Sequence, residues 1–301
     1  MRGLTLALAA WLGLILPACG LADPAATLLQ STNWARSGKW FGGFSGFDIA
    51  PDGQSFWVVS DNGYGSHGAL MRDAKGEITA ITGYSSQWLQ GPDGKVVEGI
   101  ENDAEALAMD GSGGIYVSFE GKHRVWYYPA IDPGFWAWAG SREVPPHPDF
   151  STLQNNSSLE ALAVAPDGAV VTIPERSGVL TRPFPIYRYR NGEWDTRLSV
   201  PRQPPFLVAG ADFGPDGRLY ILERHLNGIF GFQSRVRRFD YGEDGLTGEV
   251  TLFESRTGQH DNLEGIGVWR DGAGRIRMTM VSDNNFRSFQ RNEIVEYVVE
   301  E

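Results

Sequence analysis

The sequence predicts an all-β fold, a β-propeller of five four-stranded blades. Three observations carry that expectation. A β-hairpin unit recurs five times, its copies recur at a blade-sized period, and each copy is followed by room for two further strands. Repeats at such a period belong to solenoids, propellers or arrays, and a hairpin repeat selects the propeller.

The copies, in order, are S-G-F-D-I-A-P-D-G-Q-S-F-W-V-V-S-D-N (Ser45 to Asn62), E-A-L-A-M-D-G-S-G-G-I-Y-V-S-F-E (Glu105 to Glu120), E-A-L-A-V-A-P-D-G-A-V-V-T-I-P-E-R (Glu160 to Arg176), A-G-A-D-F-G-P-D-G-R-L-Y-I-L-E-R (Ala209 to Arg224) and E-G-I-G-V-W-R-D-G-A-G-R-I-R-M-T-M-V-S-D-N (Glu264 to Asn284). Each reads as an apolar run, a tight turn and a second apolar run that closes on an acid. Where the turn is Pro-Asp-Gly, Pro presets φ and Gly accepts the positive φ of a short connection. The tail after the fifth copy, joined to the residues before Ser45, supplies about one more period, so five units close a ring.

Third and fourth strands follow the second, third and fourth hairpins. They are Arg124 to Ala130 and a segment near Ser141, then Ile186 to Arg190 and Trp194 to Val200, then Arg235 to Tyr241 and Glu249 to Glu254. All are β-rich runs bounded by Gly, Asp or Pro. The last unit offers only Glu293 to Val299, so its fourth strand is expected from Ala26 to Trp34. That strand would zip the ring shut and cover an open sheet edge. A sixth, degenerate blade between Gly83 and Asn102 is the alternative, and little helix is expected.

The formal charge is −11, with no run of Lys and Arg. That excludes non-specific binding to nucleic acid or to an anionic membrane surface. Residues 1–22 read as a signal peptide: Arg2, an apolar stretch from Leu4 to Leu16, and small residues Ala18, Gly20 and Ala22 suited to cleavage. The expected location is periplasmic or secreted, with Leu16 to Cys19 as a competing lipoprotein box. Cys19 is the only cysteine, so the mature chain has no disulfide and no thiol nucleophile. Residues 23–301 are expected to form one monomeric propeller domain, with no later transmembrane segment.

In an antiparallel hairpin the start of the first strand lies beside the end of the second. Glu105 should therefore face Glu120, Glu160 face Glu175, and Glu264 face Asp283, with Ser45 beside Asp61 and Ala209 beside Glu223. All would ring one mouth of the channel, and the turns would ring the other. Asn102, Asp103, Asn156, Ser157, Ser158, Asp261 and Asn262 add oxygens just upstream. Two like charges at ~4 Å repel by about 4 kcal/mol at an effective dielectric of ~20. Such a funnel either protonates or takes a cation. Oxygen-only ligands suit Ca²⁺. The candidate metal ligands are Asp61, Asn62, Glu105, Glu264, Asp283 and Asn284. The competing reading is that repeated acids tie down backbone and loops of the neighbouring blade.

The same loops carry Lys122, His123, Arg124, Arg176, Arg224, His225, His260 and Arg287, whereas His67 and His147 read as surface residues. Arginine grips phosphate or carboxylate with two parallel bonds. Arg176 and Arg224 are thus candidates for holding an anion, or else for neutralising nearby acids. Gly-x-Ser-x-Gly, Gly-x-x-x-x-Gly-Lys and His-Glu-x-x-His motifs are absent.

A set of motifs then carries a resemblance. They are F-S-G-F-D-I-A-P-D-G (Phe44 to Gly53), W-V-V-S-D-N-G (Trp57 to Gly63), N-D-A-E-A-L-A (Asn102 to Ala108), S-L-E-A-L-A-V-A-P-D-G (Ser158 to Gly168), I-P-E-R (Ile173 to Arg176), L-E-R (Leu222 to Arg224) and N-L-E-G-I (Asn262 to Ile266). Together, over about residues 27–299, they resemble the exported phytase-like family, also called the esterase-like activity of phytase family. The resemblance implies hydrolysis of an ester or phosphate ester on a propeller. N-L-E-G-I also resembles calcium-dependent lactonases of the gluconolactonase and paraoxonase type, in which a Glu at such a position binds the metal. The lysine-rich phosphate-binding pattern of propeller phytases is missing.

The expected protein is a Ca²⁺-dependent hydrolase of a small anionic or ester substrate. Glu160 or Glu175 would be general base, and Arg176 and Arg224 would hold the anion. A lactonase with the same metal and a non-catalytic propeller that binds a ligand or protein are the alternatives.

Overall fold

The structure, a computed structural model, describes residues 25–38, 41–132, 137–138, 140–155, 157 and 159–300. Five four-stranded antiparallel sheets form a ring. Blade I contains Phe44–Ile49, Ser55–Ser60, Tyr64–Arg72 and Ile78–Trp88. Blade II contains Ala104–Met109, Ile115–Phe119, Arg124–Tyr128 and the two-residue outer strand Arg142–Glu143. Blade III contains Ala161–Val164, Val170–Ile173, Phe184–Arg190 and Glu193–Val200. Blade IV contains Leu207–Phe213, Leu219–Leu226, Phe232–Tyr241 and Leu246–Glu254. Blade V contains Asn262–Arg270, Ile276–Asp283, Glu293–Glu300 and, as its outer strand, Ala25–Asn33. The N-terminal strand thus closes the ring, pairing from Ala25 with Glu300 to Asn33 with Glu293.

The core lies between the blades rather than inside any one of them. Five apolar clusters fill the five seams. In the I–V seam Trp34 stacks on Phe44 with ring centroids 4.7 Å apart and meets Phe41, Phe56 and Tyr84 edge-on. The Pro-Asp-Gly turns behave as the sequence predicts. Gly53, Gly168 and Gly217 have φ of 67°, 82° and 76°, and the Asp before each accepts a backbone N–H two residues on.

The segment from Gly83 to Asn102 holds no sixth blade. It finishes the outer strand of blade I at Trp88, then runs as a loop with one bridge, Gln90 to Val96, and a 3-10 turn at Gly99–Glu101. Blade II departs from the expected single strand Arg124 to Ala130. Its strand stops at Tyr128, before Pro129, and Ala130–Asp132 pairs separately with Ala137–Trp138. Helix among the described residues is confined to three short 3-10 segments, and none is long and apolar enough to cross a membrane. Residues 1–22, read as a signal peptide, lie outside the described residues, as do Asn156 and Ser158.

Candidate functional site

A register break in the inner strands builds the mouth. In blades I, II, IV and V the pairing slips by one residue between Phe44 and Gly46, Ala104 and Ala106, Val208 and Gly210, and Leu263 and Gly265. The skipped residues are Ser45, Glu105, Ala209 and Glu264, the first residue of each repeat. A β-bulge re-aims the side chain it displaces. In blade III the corresponding Glu160 precedes its strand and follows Leu159, which sits at φ 41°.

The second strands contribute a matching set. The Asp61 N–H donates to Gly43 O at 2.9 Å and the Glu120 N–H to Asp103 O at 2.8 Å. Asp283 pairs with Asn262. Glu175 stands two residues beyond Ile173, as Glu120 does beyond Ser118. In blade IV the register gives this place to Arg224, opposite Leu207, while Glu223 lies opposite Val208. This corrects the expectation that Glu223 rings the mouth. A one-residue step along a strand turns a side chain to the other face. Glu223 is therefore fully buried inside blade IV, where it accepts from Arg235 Nε at 2.8 Å and from Arg237 Nε and Nη2 at 2.8 and 2.6 Å. The ring of strand ends is thus four acids and one arginine.

The mouth divides into an acidic half and a half organised by Arg224. On the acidic side Asp103, Glu105 and Glu120 bring carboxylate oxygens within 4.8 Å of one another. Burial, then the nearby charges of Glu160, Asp103 and Glu120, push the Glu105 carboxyl well above its usual range. Burial, with Asp283 and Asp103 adding to it, raises Asp61 to about 7. Burial raises Asp283 to about 6 and Glu160 to about 8. Clustered oxygen donors that resist ionisation are compatible with a hard divalent cation.

On the other side Arg224 is the hub. It donates to Glu264, to Asn262 Oδ1 at 3.1 Å and to Glu175 Oε1 at 3.2 Å, and its Nη2 lies 3.7 Å from Glu160 Oε2. Asn262 Nδ2 also donates to Glu264 at 2.6 Å. Arg176 Nε donates to Ser157 Oγ at 2.9 Å and Glu175 Oε2 at 3.1 Å, while its side chain stays about half exposed at 47%. Of the expected metal ligands, Asp61, Glu105 and Asp283 thus fall on the acidic side, and Glu264 is engaged by Arg224 and Asn262. Asn284 Oδ1 accepts from the Gly43 and Phe286 N–H groups, and Asn62 lies exposed at the rim, its carbonyl accepting from Asn102 Nδ2.

Below these residues the axis is packed shut. Gly46, Gly210 and Gly265 follow the bulges, and a Cβ at Gly46 or Gly210 would lie 2.5 Å from Leu107 N or 2.7 Å from Glu264 O. The remaining void, lined by Glu160 and Glu264 among others, is about 10 Å³, room for one water at most. To the side of the mouth, between blades IV and V, opens a cavity of about 630 Å³. Glu175, Arg176, Arg224, His260 and Glu264 line its inner part, and Leu226, Ile229, Arg287 and Phe289 its outer part.

Other cations expected at the mouth do different work. Arg124 is buried between the Phe119 and Trp126 rings and donates to the carbonyls of Lys122 and Glu101. The buried His260 bonds Tyr297 Oη at 2.8 Å, and burial lowers its pKa to about 4, so it stays neutral. His147, read as a surface residue, caps the 3-10 segment Pro148–Thr152 and packs near Tyr187.

A family model described as phytase-like, esterase-like activity of phytase, matches residues 39–286. The catalytic domain of a GH62 α-L-arabinofuranosidase from Coprinopsis cinerea superposes with a TM-score of 0.50 at 11% identity, over 92% of this chain and 97% of that one. A glucose dehydrogenase gives 0.48 at 11% identity over 92% and 100%. The calcium-binding protein regucalcin from Agrobacterium tumefaciens gives 0.46 at 9% identity over 85% and 90%. At such identities the likeness to the arabinofuranosidase is one of fold. No curated protein matches the chain.

Proposed function

The chain belongs to the phytase-like family, and from that premise we propose that it is an exported, metal-dependent hydrolase of an ester or phosphomonoester. The observation that carries the reading is the close set of Asp103, Glu105 and Glu120 beside Glu160, which lies 3.7 Å from Arg224, a residue that lines the neighbouring cavity together with Arg176. Ca²⁺ is the proposed ion, held by Asp103, Glu105 and Glu120 with Asp61 and Asp283 alongside. Bound there, it would polarise a substrate oxygen and lower the pKa of a water.

The remaining roles belong to the chain itself. Glu160, with a carboxyl raised to about 8, can exchange a proton near neutral pH and serves as the acid–base group. Glu264, Asn262 and Glu175 fix Arg224, whose charge faces Glu160 and restrains how far its pKa rises. Arg176, anchored through Nε alone among the described residues, keeps its other nitrogens for a substrate anion. The lactonase alternative needs Glu264 as a metal ligand, and the Arg224–Glu264 pair weighs against it.

The test is turnover of nitrophenyl phosphate and nitrophenyl esters by chelated protein, with and without added Ca²⁺. Ca²⁺-dependent turnover is expected, and Glu105→Gln should lower kcat at least ~100-fold. No turnover of either class, together with no heat on calorimetric titration with Ca²⁺, would overturn the reading.

A further inference from the structure

The cavity beside the mouth is polar at one end only. Its outer wall comes from two loops that follow second strands, residues 227–231 of blade IV and 284–292 of blade V. There Ile229 is 96% exposed and Phe289 77%, with Leu226 also exposed, and all three line the cavity. Phe230 and Phe286 lie exposed on the same two loops. These loops are ordered by their own hydrogen bonds. Asn227 N–H donates to Gly231 O at 2.9 Å, Arg287 N–H to Asn284 O at 2.7 Å, and Asn284 N–H to Asn292 Oδ1 at 3.0 Å. The loop backbones that carry these apolar side chains are therefore fixed beside the cavity. Holding the side chains in water is unfavourable, and that cost is recovered when an apolar group covers them.

Charge in the same wall is nearly balanced, with one cation left over. Glu175 and Glu264 are held by Arg224, Asp261 accepts from Gln290 Nε2 and the Arg291 N–H, and Arg291 pairs with Glu293 at 2.9 Å. Arg287 pairs with no carboxylate among the described residues, and its guanidinium lies 5.9 Å from the Phe289 ring centroid. A ligand seated there meets a cation next to an apolar lip. A volume of about 630 Å³ admits a head group with a chain or ring attached.

We propose that the substrate is an amphiphile. Its anionic head sits between Arg176 and Arg287, and its alkyl or aryl group lies on Leu226, Ile229 and Phe289. This deepens the hydrolase reading by naming the substrate class. Its binding half rests on the cavity alone.

The experiment measures both halves separately. Binding of n-alkylphosphonates with two, four, six and eight carbons is titrated by calorimetry. Hydrolysis of alkyl-substituted phosphate esters of the same lengths is followed in parallel. Affinity should rise roughly two- to fourfold per methylene over the first few carbons. In the double variant Ile229→Ser, Phe289→Ser that gain should vanish while ethylphosphonate binds as before. Both side chains are exposed, so folding is spared. Arg287→Ala should weaken every chain length by the same factor. Affinity independent of chain length, or a chain-length gain that survives in the double variant, overturns the proposal. Chain-length-dependent binding without hydrolysis of any ester sustains it and removes the hydrolase reading. Hydrolysis indifferent to chain length does the reverse.

Discussion

Arg224 decides what the acids around it can do. Without it, Glu160, Glu175 and Glu264 would repel each other as Asp103, Glu105 and Glu120 do across the mouth. With it, three carboxylates share one buried cation, and Glu160 stands between that cation and the Asp103, Glu105 and Glu120 cluster. Glu160→Gln keeps the neutral form's shape and removes the proton exchange. It should reduce turnover ~100-fold or more, yet melt higher than the parent at pH 8 in chelator, because the parent must either ionise a buried group or hold its proton against the solvent. Scanning fluorimetry at pH 5.5 and 8 checks the second half. Glu223 behaves oppositely. Glu223→Ala removes the buried counter-ion that Arg235 and Arg237 share, leaving Arg237 with Glu249 at 2.9 Å and Arg235 with Glu254 at 3.9 Å, and should cost about 3 kcal/mol in denaturant unfolding. A loss under 1 kcal/mol would mean that the two arginines find other partners.

At the scale of the element, the inner strands of blades I, II, IV and V are shaped by a bulge, and all five carry a small residue at the next position. The bulge turns Glu105 or Glu264 to the axis, and Gly46, Ala106, Ala161, Gly210 and Gly265 let neighbouring inner strands approach. Gly46→Ala would drive a Cβ against the Leu107 N and Ala106 Cα atoms. Backbone cannot yield as a side chain can, so about 1–3 kcal/mol of stability should be lost. A variant that melts with the parent would refute this packing. The strand Ala25–Asn33 closes blade V and delivers Trp34 to the I–V seam. The motifs made this closure legible because the fifth unit runs out of chain before its fourth strand. They could not show the bulges, since a one-residue slip leaves no mark on an alternating pattern already crowded with Ala and Gly.

For the molecule as a whole, the mouth stores electrostatic cost that the seams between blades offset. Several carboxyls there have folded pKa values above their ordinary range: Asp61 about 7, Asp283 about 6 and Glu160 about 8. The folded state then binds more protons than the unfolded chain between about pH 4 and 8. His260, held neutral by burial, opposes this below about pH 6.5, but the raised carboxyls outnumber it, so stability should fall as pH rises through that window. The chelated protein should therefore melt progressively lower from pH 5 to pH 8. Added Ca²⁺ should restore more at pH 8 than at pH 5, by mass action on deprotonated ligands. A melting temperature that is flat in pH and indifferent to Ca²⁺ would remove the cation from the account.

Five repeats of hairpin, turn and closing acid pointed to five blades with a sixth left open, to the ring closure and to the gathering of carboxylates at one end. Those properties follow from chain-local facts, strand alternation and turn chemistry. What only the tertiary structure decided is which side chain of each repeat reaches the axis and what it meets there. The Leu-Glu-Arg ending of the fourth repeat reads as one more acid at the mouth, but strand register buries Glu223 and sends Arg224 inward. Likewise Glu105 and Glu264 open equivalent repeats, and they differ because Arg224 pairs directly with Glu264 and acts on Glu105 only from a distance. Register and charge pairing arise between segments distant in sequence, and the repeat unit carries no record of its neighbours.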